Sequence, residues 1–115
     1  MSWQDISTAP APGTVVCKID EVEGVKALDL AGFPLLVVRD ADGLRGFVNL
    51  CPHQYLPLDY QGTRILSADG ARLICSSHQA QFDCRTGAVI AGPAGCGLDP
   101  VPLRQEADRV VIAEG

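Results

Sequence analysis

The sequence predicts an all-β protein, built as a sandwich or a small barrel. Its apolar stretches are short, rich in Val, Ile and Leu, and separated by residues that favour turns. Asp42-Gly43 and Asp69-Gly70 each lie between two such stretches, and glycine supplies the positive φ that a tight hairpin turn requires. No segment sustains helical periodicity over about ten residues with a cap at both ends. These observations favour antiparallel hairpins.

Each predicted strand is a run rich in apolar and β-branched residues, bounded in most cases by Gly, Pro, Asn or Asp. In chain order, strands are predicted at residues 14–19, 25–30, 34–39, 44–49, 64–66, 72–75, 80–83, 88–90, 101–104 and 109–113. Asp42-Gly43 is expected to join the third strand to the fourth, and Asp69-Gly70 the fifth to the sixth. Thr86-Gly87 is a weaker signal for a third hairpin, between the seventh strand and the eighth.

Two stretches are predicted to be irregular loops. Pro52 and Pro57 lie in residues 49–62, and proline disfavours both a helix and a central strand. Residues 91–100 hold three glycines and two prolines, which predicts a second rigid loop. Irregular loops that emerge from a β scaffold commonly carry functional groups.

Length and composition predict one domain spanning residues 1–115. The net charge of −5 argues against nucleic acid as a partner. Acidic residues concentrate between Asp20 and Asp42, either as an ordinary solvated surface or as a patch that steers a basic redox partner.

The start of the chain lacks the basic and apolar regions of a targeting segment. The longest aliphatic run, Leu35-Leu36-Val37-Val38, is too short to span a membrane. We therefore expect a soluble cytoplasmic protein with no membrane partner. Five cysteines cannot all pair with one another, and cysteine beside histidine in a reducing compartment indicates metal binding or catalysis.

Two cysteine–histidine pairs, Cys51-Pro52-His53 and Cys75-Ser76-Ser77-His78, contain the only histidines of the chain. Their four side chains provide enough ligands for a tetrahedral zinc ion or for an iron–sulfur cluster. Each pair mixes one thiolate with one imidazole. That mixture suits a binuclear centre, because one metal can take both cysteines and the other both histidines.

The two pairs resemble the Rieske [2Fe–2S] motif, Cys-X-His followed by Cys-X-X-His. The resemblance extends to the flanking residues, namely Asn49-Leu50, Pro57-Leu58-Asp59, Gln81-Phe82-Asp83, Thr86-Gly87 and Gly92-Pro93-Ala94. With the strand pattern on either side, it covers nearly the whole chain.

The resemblance implies a Rieske-like fold with a basal antiparallel β-sandwich or barrel and a small cluster-binding subdomain at about residues 50–95. It implies that Cys51 and Cys75 bind the inner iron, that His53 and His78 bind the outer iron, and that residues 92–95 form a third loop over the cluster. Because neutral imidazoles replace two thiolates, such a cluster is easier to reduce than one bound by cysteines alone.

Two features of respiratory-complex Rieske proteins are missing. Leu56 and Ser77 occupy the positions of the cysteines that form a disulfide brace in those proteins, and Ala80 and Phe82 occupy those of a serine and a tyrosine near the cluster. Hydrogen bonds to cluster sulfurs stabilise the reduced state. We therefore expect a low midpoint potential, roughly −150 to 0 mV.

The remaining cysteines are expected to stand apart from the cluster ligands. Cys17 is interpreted as a small core residue of the first strand. Cys84 and Cys96 are interpreted as thiols near the ligand loops, with a disulfide between them as the alternative.

The resulting functional hypothesis is a soluble one-electron carrier that is not itself an enzyme. It would pass electrons from a flavin reductase to a terminal oxygenase, and too few residues follow His78 to form an oxygenase catalytic domain. A small electron-transfer subunit of a complex such as nitrite reductase is the first alternative. A structural zinc-binding interaction module is the second.

Overall fold

The computed structural model describes residues 3, 6–40, 43–50, 57–59, 65–76, 80–92 and 97–113. The strands within these residues are β1 (Val15–Lys18), β2 (Val25–Leu30), β3 (Phe33–Asp40), β4 (Gly43–Val48), β5 (Arg72–Ile74), β6 (Gln81–Asp83), β7 (Val89–Ala91), β8 (Pro100–Val101), β9 (Leu103–Glu106) and β10 (Arg109–Ile112). A short 3₁₀ turn at Ile19–Glu21 follows β1. None of the described helical residues forms a segment long and apolar enough to cross a bilayer.

The strands form three antiparallel sheets. Their orders are β1-β10-β9 in the first sheet, β2-β3-β4-β8 in the second and β5-β6-β7 in the third. The predicted all-β antiparallel class is therefore confirmed. Sequence-adjacent strands pair in most places, and β8 returns from the far end of the chain to β4.

Strand β3 is the centre of the core because it is buried on both faces. Phe33, Leu35 and Val37 pack with Val110 of the first sheet. Leu36 and Val38 point the other way and share a second apolar cluster with residues of the third sheet. The continuous aliphatic run of the sequence is thus the signature of a strand that is covered on both sides.

The three predicted hairpins are confirmed. Strands β3 and β4 pair down to Asp40 and Gly43, although residues 41–42 lie outside the described residues. Gly70, at a φ of 73°, turns the chain between Leu66 and β5, and Leu66 forms a bridge to Leu73. Gly87, at a φ of 77°, turns it between β6 and β7.

Two hairpins had no recognised sequence signal. Ala31 adopts a φ of 52° before Gly32 in the β2–β3 turn, and Ala107 adopts a φ of 56° between β9 and β10. Alanine is an uncommon residue at positive φ, so the pairing of the flanking strands outweighs the local preference.

The strand predicted at 101–104 is two strands, which corrects that element. Pro102 separates β8, paired with β4 in the second sheet, from β9, paired with β10 in the first. Proline has no N–H group to donate to a ladder, so it suits the point where the chain leaves one sheet for another.

Candidate cluster site

One of the four predicted ligands, Cys75, lies within the described residues. Cys51, His53 and His78 lie outside them. Cys75 directly follows β5 and is 1% exposed, within the apolar cluster that also contains Leu58, Ala80 and Phe82. The third sheet therefore holds this thiol in a site from which water is largely excluded.

The Cys75 backbone closes the connection between β5 and β6. Ile74 pairs with Gln81, and the N–H group of Cys75 donates to the carbonyl oxygen of Ala80 at 2.8 Å. The segment between them carries the second cysteine–histidine pair of the sequence. Its two ends are thus held by the antiparallel ladder of the third sheet.

A second set of hydrogen bonds joins this segment to the region of the first pair. The N–H group of Ser76 donates to the carbonyl oxygen of Leu58 at 2.8 Å, and the Ser76 hydroxyl donates to the same oxygen at 2.5 Å. The N–H group of Leu58 donates in turn to Oδ1 of Asn49 at 2.8 Å. The fold therefore brings together segments that lie beside the two pairs in the sequence.

Gly92, near the start of the predicted loop at residues 91–100, lies against Ala80, where the segment of the second cysteine–histidine pair ends. It has a φ of 96°, and a Cβ atom at this position would lie 2.5 Å from Cα of Ala80. Beyond the undescribed residues 93–96, the N–H group of Leu98 donates to the carbonyl oxygen of Gly87 at 2.8 Å. Both ends of that loop consequently lie against the β6–β7 hairpin.

The positions predicted to lack hydroxyl donors are apolar and fully buried. Ala80 and Phe82 have no exposed surface and belong to the same cluster as Cys75. Neither side chain can donate a hydrogen bond to a group held at Cys75. On the solvent side of the same ladder, Arg72 donates from Nη1 to Oε1 of Gln81 at 2.8 Å.

The other described cysteines occupy different places. Cys17 is half-buried on β1, opposite Val110, and packs against the core cluster that contains Trp3. Burial, reinforced by the Glu21 carboxylate, raises the pKa of the Cys17 thiol, while Lys26 opposes the shift. Cys84 is buried in the Cys75 cluster. Cys96 lies outside the described residues, so the interpretation of Cys84 and Cys96 as thiols stays a prediction, with the disulfide between them as the alternative.

Sequence reasoning placed Asn49 among the flanking residues but missed its structural role. The available signal was an amide side chain at the end of an apolar strand and directly before the irregular loop. Asn49 is 4% exposed, and a buried amide must find hydrogen-bond partners within the protein. The partner could not be identified from the sequence, because Leu58 contributes a backbone group.

The residues present fit a Rieske-type [2Fe–2S] cluster. Two thiolates and two imidazoles are the donor set that such a centre takes. In the part of the chain that the structure describes, Cys75 is buried in apolar surroundings, and the segment after it is fixed to the Leu58 region. A buried thiol on a braced loop matches what a ligand to a partly covered cluster requires.

Comparisons with known proteins match the chain to one family model and to several solved structures. The sequence model of the Rieske [2Fe-2S] domain matches residues 13–102. The ferredoxin of carbazole 1,9a-dioxygenase from Nocardioides aromaticivorans IC177 has 26% identity and a TM-score of 0.74, covering 91% of this chain and 100% of its own. No curated protein sequence matches.

Two further solved structures show the same fold at lower identity. A ferredoxin from Sphingomonas yanoikuyae B1 has 24% identity and a TM-score of 0.71, covering 90% of this chain and 99% of its own. The terminal oxygenase of carbazole 1,9a-dioxygenase from Nocardioides aromaticivorans IC177 has 18% identity and a TM-score of 0.72, covering 89% of this chain but 30% of its own. The match therefore spans whole ferredoxins and one part of an oxygenase.

Proposed function

The chain belongs to the Rieske [2Fe–2S] domain family, and from that membership we propose that it is a one-electron carrier serving a terminal oxygenase. Its cofactor is a Rieske-type [2Fe–2S] cluster. When bound, such a cluster takes up and releases one electron at a time. The observation that carries the proposal is the match over the full length of the carbazole 1,9a-dioxygenase ferredoxin.

The proposed ligands are Cys51 and Cys75 for one iron and His53 and His78 for the other. Support comes from the buried position of Cys75 and from the hydrogen bonds between Ser76 and Leu58, which join segments beside the two pairs. In this proposal the chain forms one Rieske domain over residues 1–115, with a cluster-binding part at about 50–95.

The described residues would perform three tasks in electron transfer. Leu58 and Phe82 exclude water from the cysteine side of the site, because both are fully buried beside Cys75. The backbone bond from Cys75 to Ala80 holds that ligand in place at 2.8 Å. Rigid placement keeps the geometry of both oxidation states similar, which suits rapid one-electron exchange.

Partners follow from the kind of protein that the chain resembles. We propose a flavin reductase as the electron donor and a terminal oxygenase as the acceptor, both met in the cytoplasm. One solved structure is a complex of the carbazole-bound oxygenase and the ferredoxin of carbazole 1,9a-dioxygenase. The chain of that complex that matches has a TM-score of 0.74 at 19% identity, and the match covers 89% of this chain and 29% of the other. In this role the chain delivers electrons and does not itself transform a substrate.

The alternatives from the sequence are less well supported. Family membership argues against a structural zinc module. The match to whole ferredoxins favours a separate carrier over a small subunit of a complex such as nitrite reductase.

Metal analysis and electron paramagnetic resonance of the dithionite-reduced protein test the proposed cofactor. We expect about two iron and two sulfide per chain, and a rhombic signal with an average g below about 2.0. A colourless protein that holds zinc and gives no signal after reduction would contradict the proposal. Electron delivery is tested by mixing the reduced protein with a Rieske-type terminal oxygenase and following reoxidation by stopped-flow absorbance.

A further inference from the structure

Asn49 is the one buried side chain of polar type among the residues that the structure describes. Its amide makes two hydrogen bonds across the loop that follows β4. Oδ1 accepts from the N–H group of Leu58 at 2.8 Å, and Nδ2 donates to Oδ1 of Asp59 at 3.1 Å. This amide therefore ties Asn49, directly after β4, to a residue nine positions further along the chain.

The two sides of the Leu58 residue are held by different segments. Its N–H group donates to Asn49, while its carbonyl oxygen accepts from both the N–H group and the hydroxyl of Ser76. The Leu58 side chain is fully buried in the cluster that contains Cys75. Leu58 thus lies at the junction of the two segments.

These contacts bear directly on the proposed ligands. Asn49 precedes Cys51 by two residues, and Ser76 directly follows Cys75 in the sequence. Leu56 and Ser77 cannot form the disulfide that braces the ligand loops in respiratory-complex proteins. A hydrogen-bonded link from Asn49 through Leu58 to Ser76 joins the same two regions without a covalent bond.

We propose that Asn49 and Ser76 are positioning residues that hold the two ligand loops together through Leu58, and that this clamp retains the cluster and keeps water from it. The inference rests on the proposed function, since it assumes a cluster between the loops. The clamp is defined as Asn49, Leu58, Asp59 and Ser76.

The Asn49 side chain is expected to contribute more to the clamp than the Ser76 side chain. Without the Asn49 amide, the buried N–H group of Leu58 has lost its acceptor, and an unsatisfied buried donor is costly. Without the Ser76 hydroxyl, the Leu58 carbonyl still accepts from the Ser76 backbone N–H group. Changes at Asn49 should therefore loosen the loops more than changes at Ser76.

The test uses the full-length, cluster-loaded protein and two readouts, the rate of iron release to a chelator and the midpoint potential. In Asn49→Leu, we expect iron release to quicken about tenfold or more, because both hydrogen bonds of the amide are lost and the buried N–H group of Leu58 is left without an acceptor. The midpoint potential should rise, because loosened loops admit water near the cluster. Ser76→Ala should move both readouts in the same direction by less.

A charge swap provides the rescue. Asn49→Asp keeps the acceptor for Leu58 but sets a carboxylate beside Asp59, so iron release should quicken. Adding Asp59→Asn restores a donor–acceptor pair with the roles exchanged. The double variant should return to within about twofold of the original rate, which is a coupling that independent sites do not show.

Ile112→Val is the matched control for general destabilisation. Ile112 is fully buried in the other apolar cluster, the one that contains Trp3. This change should lower the thermal midpoint of unfolding and leave the potential unchanged. If Asn49→Leu behaves like this control, or if the double variant is no better than Asn49→Asp, the clamp has no positioning role. If the unaltered protein binds no iron and sulfide, the proposed function fails instead.

Discussion

Gly92 lies so close to Ala80 that a Cβ atom on the glycine would meet Cα of Ala80 at 2.5 Å. Strand β7 ends at the residue before Gly92, and Ala80 accepts the backbone hydrogen bond from Cys75. The contact thus joins the third loop to the segment that carries a proposed ligand. Only glycine permits both this approach and the φ of 96°.

Gly92→Ala should destabilise the protein and speed the loss of the cluster. The added methyl group must displace backbone atoms, and the positive φ adds strain. We therefore expect the free energy of unfolding to fall by about 2 kcal/mol or more. The free energy of unfolding from denaturant titration measures the first effect, and bleaching of the visible absorbance measures the second.

Gly13→Ala is the control for the backbone term of that prediction. Gly13 has a φ of 89°, but a Cβ atom there would meet nothing within 4 Å. Gly13→Ala should lower the free energy of unfolding by about 1 kcal/mol and leave cluster retention unchanged. Equal effects at the two glycines would show that the Ala80 contact is unimportant.

Phe82→Tyr should raise the midpoint potential by tens of millivolts. Phe82 is fully buried in the same apolar cluster as Cys75, and we expect a hydroxyl there to donate a hydrogen bond that stabilises the more negative reduced state. Voltammetry of the unaltered protein should give roughly −150 to 0 mV. Phe33→Tyr adds the same hydroxyl to the other apolar cluster and should not move the potential. A starting value near about +300 mV would refute the expected low-potential class.

His78→Cys should lower the midpoint potential and change the resonance spectrum of the reduced protein. A thiolate in place of a neutral imidazole adds negative charge to the centre, which disfavours reduction. Cys17→Ala is the control, because Cys17 lies on β1 and packs against the Trp3 cluster. An unchanged spectrum in His78→Cys would remove His78 from the ligand set.

Stability should fall at alkaline pH in part through Cys17. Burial and Glu21 raise the pKa of this thiol in the folded protein. Above about pH 8.5 the unfolded chain therefore binds fewer protons at Cys17 than the folded protein does, and the free energy of unfolding falls. The contribution is full below that pH and is lost as the pH rises toward the folded-state pKa. Cys17→Ala should flatten this part of the curve of unfolding free energy against pH. A curve of the same slope in the variant would assign the decline to other groups.

Local patterns were sufficient for several elements. Strand β2 was predicted with its observed bounds, 25–30, from its run of apolar residues, and the glycines at 43, 70 and 87 marked real hairpins. Local patterns failed at Ala31 and Ala107, where strand pairing imposes a positive φ that alanine does not favour. They also failed at Pro102, where one strand was predicted although the residues on either side of this proline pair with different sheets.

The candidate site was also predictable in one part and not in another. The two cysteine–histidine pairs indicated a metal centre from residue types and spacing, because metal chemistry limits which side chains can serve. The family and the cofactor came from the resemblance of the pairs and their flanks to the Rieske motif. The pairs could not reveal what holds the loops together. The links between the loops depend on backbone groups of Leu58 and Ala80, which every residue type except proline possesses in full and which no sequence pattern distinguishes.

The antiparallel β class could be predicted from the sequence, because periodicity and turn residues are local properties, and the resemblance of the two cysteine–histidine pairs to a known motif implied a Rieske-type cluster. Tertiary structure decided that β3 is covered on both faces, that Cys75 is buried, and that Asn49 and Ser76 meet at Leu58. These facts depend on the packing of segments distant in the chain. Burial and backbone hydrogen bonds arise only when such segments come together.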